Sequence, residues 1–257
     1  MKYDPKQEKQ LMTEIWSLNI KDDPVNFVKF AFPWGQKDTP LEDFEGPRKW
    51  QEKILRDIAV HIQRNQTIDL PEMFRLAVAS GRGIGKSALV AWLILWMLST
   101  RLGATIIVTA NTEQQLRSRT WAELGKWLTL SINSHWFMKT ATTIKPAPWF
   151  QEALERDLKI DTGYYYAQAQ LWSEENPDAF AGIHSSYGVC LIMDEASGIP
   201  SPIYSVSEGF FSEPTRDRYW FTFSNPRRNT GPFYDSFHSK RAFWKSLQID
   251  SRTVEGT

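Results

Sequence analysis

The sequence predicts an α/β domain, and three stretches carry that prediction. Residues 74–79, short and mostly apolar, lead into a glycine-rich turn and then into 88–98, a longer apolar run rich in Leu, Ala, Trp and Met; the order is strand, turn, helix. Residues 104–110 are β-branched and apolar throughout, as a strand buried on both faces is. Residues 189–193 form a further apolar strand that ends in two acids, Asp194 and Glu195. A chain of 257 residues has room for one large domain of this kind with a short extra segment.

In chain order, residues 1–20 are polar with Leu11, Ile15, Trp16 and Leu18 at helix-like places, which predicts a helix on the domain's edge ended by Asp22-Asp23-Pro24. Residues 26–34 are aromatic, 35–47 are loop, and 48–64 carry a helical pattern. After the strand at 104–110, Leu116, Trp121, Leu124, Trp127 and Leu128 fall at helical spacing within 111–130, with Arg117 and Arg119 on the other faces. Residues 131–155 read as irregular, broken at Pro146 and Pro148, and 158–160 with 164–171 as a hairpin around Gly163. A polar loop at 173–181 follows, then strands at 219–223 and 243–249 with a short helix begun at Gly231-Pro232. There is no internal repeat or low-complexity tract, so the expected division is an N-terminal helical extension, 1–70, and a core, 71–257.

The turn reads Ser80-Gly81-Arg82-Gly83-Ile84-Gly85-Lys86-Ser87. Its glycines let backbone N–H groups turn inward on a phosphate, the helix start adds the positive end of its dipole, and Lys86 adds a full charge. Ser87 offers a hydroxyl to Mg²⁺. The pattern G-x-x-x-x-G-K-[ST] has glycine where this chain has Ser80. Arg82 reads two ways, as a second cation aimed at the same phosphates or as a solvated loop residue. Upstream, Trp50-Gln51 fits a glutamine that reads an adenine edge beside an aromatic, or an exposed glutamine on an amphipathic helix.

The acid pair is the partner such a loop needs. An Asp at the end of a central parallel strand can hold Mg²⁺ beside the loop's serine, and a Glu one residue on can orient and deprotonate the attacking water. Ser224-Asn225-Pro226-Arg227-Arg228 follows the strand at 219–223, where small polar residues could sense a γ-phosphate or form a plain turn.

Composition excludes several classes. Thirty basic and thirty acidic side chains cancel, so net charge announces no nucleic-acid partner. Twelve Trp and fifteen Phe argue for a packed chain. Cys190, the single cysteine, sits in an apolar run and reads as a buried small hydrophobe in a reducing compartment. The first ten residues have no signal-peptide core, and the apolar run after the loop is shorter than the roughly 20 residues a membrane span needs. His61, His135, His184 and His238 are scattered without cysteine partners, which argues against zinc; His184 alone is near the acid pair. There is no Gly-x-Ser-x-Gly elbow, and no acid cluster of a two-metal nuclease.

Together these stretches resemble the ATPase domain of tailed-phage terminase large subunits, the motors that drive DNA into an empty capsid. The resemblance runs from about residue 26 to the end of the chain. It rests on Trp34-Gly35, Gly46-Pro47 with Trp50-Gln51, the loop with Ser80 and Arg82, Asp194-Glu195-Ala196-Ser197, and Ser224-Asn225-Pro226. It implies a P-loop NTPase fold of the ASCE branch, a mainly parallel sheet flanked by helices with an extra strand and a catalytic glutamate. It also implies ATP and Mg²⁺ as cofactors, Arg82 as an arginine finger supplied in cis, and Ser224 and Asn225 as a coupling motif. The implied partners are double-stranded DNA, portal protein, terminase small subunit and further copies in a ring, with a monomer in isolation and no membrane. The implied setting is the cytoplasm of the infected bacterial host. Such subunits carry a C-terminal nuclease domain; this chain stops at Thr257 before any such cluster, which reads as the ATPase part of a longer protein, with no DNA cleavage expected. Two rival readings are a helicase-type translocase, for which no second ATPase-like lobe has room, and a nucleotide-dependent assembly switch.

Overall fold

A computed structural model describes residues 4–183 and 185–255. Helix α1, Pro5–Ile15, starts where the Asp4 carboxylate accepts from Lys6 N and proline takes the first helical position. Helix α2, Leu18–Lys21, is one turn long, and α3, Pro24–Ala31, begins at Asp23, whose carboxylate accepts from Val25 N and Asn26 N. The Asp22-Asp23-Pro24 break thus ends one helix and caps the next. Helix α4, Lys49–Thr67, crosses to the sheet.

The core then follows in order as β1 Phe74–Ser80, α5 Lys86–Thr100, β2 Thr105–Ala110, α6 Glu113–Gln115 and, after a π turn at Leu116–Trp121, α7 Ala122–Leu130. Next come β3 Phe137–Lys139, β4 Thr143–Pro146, α8 Pro148–Asp157, β5 Tyr166–Ala169, β6 Val189–Asp194, α9 Ser201–Ser207, β7 Arg218–Ser224, α10 Pro232–Asp235 and β8 Lys245–Ile249. The strands form one eight-stranded sheet in the order β3-β4-β5-β2-β6-β7-β1-β8. Strands β5, β2, β6, β7, β1 and β8 pair in parallel, and β4 runs against both its neighbours.

Alternation along the strands divides the core into two layers. Leu76, Val78, Ile106, Val108, Cys190, Ile192, Phe221 and Phe223 face helices α1 to α5, α7 and α8. Ala77, Ala79, Ile107, Leu191, Met193 and Trp220 face Ile203, Tyr204, Phe210 and Phe233 on the other side. Helix α5 is apolar all round because it is buried all round from Leu89 to Thr100. Each fully buried Leu or Ile in it contributes about 1.5–3 kcal/mol. No helix among the described residues is long and apolar enough to cross a membrane.

Three sequence expectations need correction. Residues 131–155 are not irregular, since they hold the antiparallel pair β3–β4 and helix α8; Pro148 starts that helix at its first position instead of breaking it. The hairpin around Gly163 does not form. Residues 158–160 close α8, with Leu158 N and Ile160 N both bonded to Leu154 O at 3.1 and 3.2 Å, and the Asp161 carboxylate accepts from Gly163 N at 2.9 Å in a side-chain turn. That leaves β5 to pair with β2 and β4. The predicted helix over 111–130 is interrupted by the π turn.

Candidate functional site

Register brings the chemical stretches to one edge of the sheet. Ala79 lies beside Ser224, Phe223 beside Asp194, and Asp194 beside Ala110, so the turn after β1, the acids after β6 and the polar residues after β7 leave the carboxyl ends together. Ligands of open α/β sheets bind outside those ends. Strand β7 stands between β1 and β6, and is the extra strand of the expected fold.

The turn is held from beneath by α4. Gln51, 3% exposed, donates from Nε2 to Gly85 O at 2.8 Å and accepts Arg48 N on Oε1 at 2.9 Å. Trp50 Nε1 donates to Ile84 O at 3.1 Å, and Arg48 Nη1 to Gly83 O at 3.4 Å. Gly85 takes φ of 91° as the N-cap of α5, and a Cβ there would lie 2.7 Å from Gln51 Nε2, so both its conformation and its crowding require glycine. Ile84 is fully buried and pins the turn's centre, while Ser80 is buried at the end of β1. Gly81 lies against Ser251, where a Cβ would stand 2.5 Å from Oγ. Gly83 and Arg82 are exposed at the tip. The structure therefore brings Trp50 and Gln51 to the loop, but spends the Gln51 amide on backbone.

Lys86 opens α5 half-buried, and its Nζ donates to Asn225 Oδ1 at 2.8 Å. Burial pushes its ammonium below the ordinary lysine range; Glu195 and Asp194 oppose that shift, while Arg227 and Arg82 add to it. Two predicted acids and one predicted arginine thus share a field with the loop lysine. Ser224, fully buried, donates to Ser197 Oγ at 2.8 Å and accepts Ser197 N at 3.1 Å, tying the end of β7 to the turn after Glu195. Glu195 itself sits at φ 50°, ψ 41°. Such left-handed backbone costs an L-residue on the order of 1–2 kcal/mol.

Asp194 is half-buried with both carboxylate oxygens engaged. Oδ2 accepts from Thr120 Oγ1 at 2.7 Å and Oδ1 from Glu195 N at 3.0 Å. Burial pushes its carboxyl up, an effect the Thr120 bond opposes and the neighbouring Glu195 charge reinforces. Ser87 follows Lys86 on the first turn of α5. A hydroxyl and one carboxylate are hard oxygen donors of the number Mg²⁺ takes from protein when phosphates and waters supply the rest, so Ser87 and Asp194 fit that ion. Among the described residues, no group of three or more His, Cys, Asp or Glu side chains is placed to hold a metal ion on its own.

Sequence reading quoted Arg227 without giving it a part in the site, and missed Thr120. Arg227 directly follows the coupling stretch and could have been found there; Thr120 carries no signal, because its place depends on the π turn. Arg117 pairs with Glu113, four residues earlier, at 2.7 Å, and Arg119 is exposed. His184 lies outside the described residues.

No protein-family model matches the sequence, and no curated protein matches it. Solved structures do. The large terminase of a thermophilic bacteriophage is similar with a TM-score of 0.52 at 15% identity, over 79% of this chain and 45% of that one. The same protein in complex with ADP gives 0.50 at 15% identity, over 79% and 44%. A large terminase ATPase domain of Thermus phage P74-26 gives 0.47 at 18% identity, over 68% and 75%. The chain spans less than half the length of the first of these terminases. The chain shares its fold, an eight-stranded, mainly parallel sheet flanked by helices, with phage large terminases, in agreement with the resemblance carried by its motifs.

Proposed function

We propose that this chain hydrolyses ATP with Mg²⁺ and that the hydrolysis drives double-stranded DNA into a phage capsid. The observation that carries the reading is the convergence on Lys86: its Nζ is bonded to Asn225, and its ammonium, held down first by burial, also feels the charges of Glu195, Asp194, Arg227 and Arg82. The loop amides of 81–87 and Lys86 bind the β- and γ-phosphates. Ser87 and Asp194 would hold Mg²⁺, which supplies neutralising charge on the phosphate oxygens when bound. Glu195 orients the attacking water and takes its proton. Arg82, exposed at the tip of the turn, closes over the site and meets the charge that develops on the transferred phosphoryl group.

Coupling follows from the bonds behind the site. Loss of the γ-phosphate changes what Lys86 holds, Asn225 is its hydrogen-bond partner, and the adjacent Ser224 is bonded to the turn that carries Glu195. A change at Lys86 can therefore move the end of β7 and the acid turn together. As partners we propose portal protein, terminase small subunit and further copies of the chain in a ring.

The test is steady-state phosphate release by the purified chain with Mg²⁺ and ATP, with and without double-stranded DNA and portal protein. Turnover that these additions stimulate, and that Glu195→Ala abolishes while ATP still binds, is expected. Binding without sustained turnover in any mixture would favour a nucleotide-dependent assembly switch, and strand separation by the chain would favour a helicase-type translocase.

A further inference from the structure

The π turn at Leu116–Trp121 carries the residue of this helical stretch that is bonded to the site, Thr120. In a regular helix a Ser or Thr hydroxyl bonds back to the carbonyl four residues earlier. Ser118, within the same π turn, keeps that bond, with Gln114 O. At Thr120 the wider pitch leaves Gln115 O, five residues back, 3.5 Å from the hydroxyl, and Asp194 Oδ2 at 2.7 Å. A hydroxyl has one proton, and the shorter bond takes it. Thr120 is 1% exposed, so water does not compete for it. Its flanks fix the turn: Leu116 is 1% and Trp121 2% exposed, and Trp121 Nε1 donates to Thr140 O at 3.2 Å. π turns of this kind recur at functional sites.

We propose that Thr120 is the positioning residue for Asp194, holding the carboxylate's orientation so that it can ligate a divalent cation. The inference rests on the nucleotide-and-metal reading of the site and assigns to it a residue outside every recognisable motif. Together with Glu195 N on Oδ1, Thr120 stops rotation of the carboxylate and leaves each oxygen a free lone pair. Because Thr120 donates to it, the carboxylate is held as an acceptor, the form a cation requires. Outer partners of this kind commonly govern metal affinity by about 10- to 100-fold.

The experiment titrates Mn²⁺ into the purified chain saturated with ADP and follows free Mn²⁺ by electron paramagnetic resonance. Thr120→Val, which keeps shape and loses the donor, is expected to weaken Mn²⁺ binding about 10- to 100-fold. Thr120→Ser should restore it close to wild type, and ADP affinity in EDTA should be unchanged in both. In an Asp194→Asn background, Thr120→Val should add no further loss. Thermal melts check folding, and Thr120→Ala serves if the valine chain does not fold. Wild-type Mn²⁺ affinity in the valine chain, or a loss that serine does not rescue, overturns the role of Thr120 alone. A wild-type chain that binds neither ADP nor Mn²⁺ overturns the nucleotide reading and this inference with it.

Discussion

Truncating Gln51 to alanine separates two roles that the residue could have. Its side chain is buried, and both ends of its amide are spent within the chain, on Gly85 O at 2.8 Å and from Arg48 N at 2.9 Å. A net 0.5–1.5 kcal/mol per bond gives about 1–3 kcal/mol for the pair. If that energy preorganises the loop, its loss weakens phosphate binding by about 5- to 150-fold, since 1.4 kcal/mol is a factor of ten. The penalty falls on whatever the loop grips, so ATP, GTP and inorganic triphosphate should weaken by the same factor. Displacement of a fluorescent nucleotide by each competitor measures this. A loss confined to adenine nucleotides would mean that Gln51 leaves the loop to read the base, and an unchanged affinity for all three would mean that the brace does not matter to binding.

Other outcomes follow from the same geometry. Arg82→Ala should cut turnover by about 10³-fold or more with nucleotide binding kept; wild-type turnover would make Arg82 a loop residue only. Arg101 is buried between Asp22 at 2.8 Å and Asp217 at 3.0 Å and lies over the Trp96 ring, which ties α2 to the ends of α5 and β7. Arg101→Ala should cost about 3–5 kcal/mol by denaturant unfolding, because two carboxylates lose their cation, and a loss below about 1 kcal/mol would contradict this. Burial lowers the Lys86 pKa, so nucleotide affinity should fall as pH rises before the ordinary lysine range is reached, and an affinity flat to that range would contradict it. Over the same window stability should gain from Lys86, because the unfolded chain still binds a proton that the native chain has released.

The parts legible in the sequence were those in which local pattern and tertiary role coincide. Strands β1, β2, β6 and β7 lie inside a parallel sheet, so each reads as a mostly apolar run, and the residues that follow each run necessarily share one edge. The turn from Ser80 to Ser87 carries its own chemistry in its glycines and Lys86. Where the pattern was short, it misled. Leu158, Lys159 and Ile160 alternate as a strand does, but they cap the C-terminus of α8 just beyond Asp157, and only Leu154 O, which takes both Leu158 N and Ile160 N, decides the matter. Pro148 looked like a breaker and is a helix start, since the first helical position needs no N–H. The contacts of Thr120 and of Gln51, a residue the sequence did single out, were out of reach for a different reason. Their partners, Asp194 and Gly85, are 74 and 34 residues away, and the contacts depend on a π pitch and on how α4 crosses the loop.

The proposed function requires the carboxyl edge of β1, β7 and β6 to be a single nucleotide site. A structure with a non-hydrolysable ATP analogue and Mg²⁺ tests it most directly. The phosphates are expected within the turn at 81–87, the metal between Ser87 and Asp194, and Arg82 beside the γ-phosphate opposite Glu195. A nucleotide lodged elsewhere, such as the cavity lined by Pro226, Arg228, Tyr234 and Gln248, with the turn empty, would contradict it.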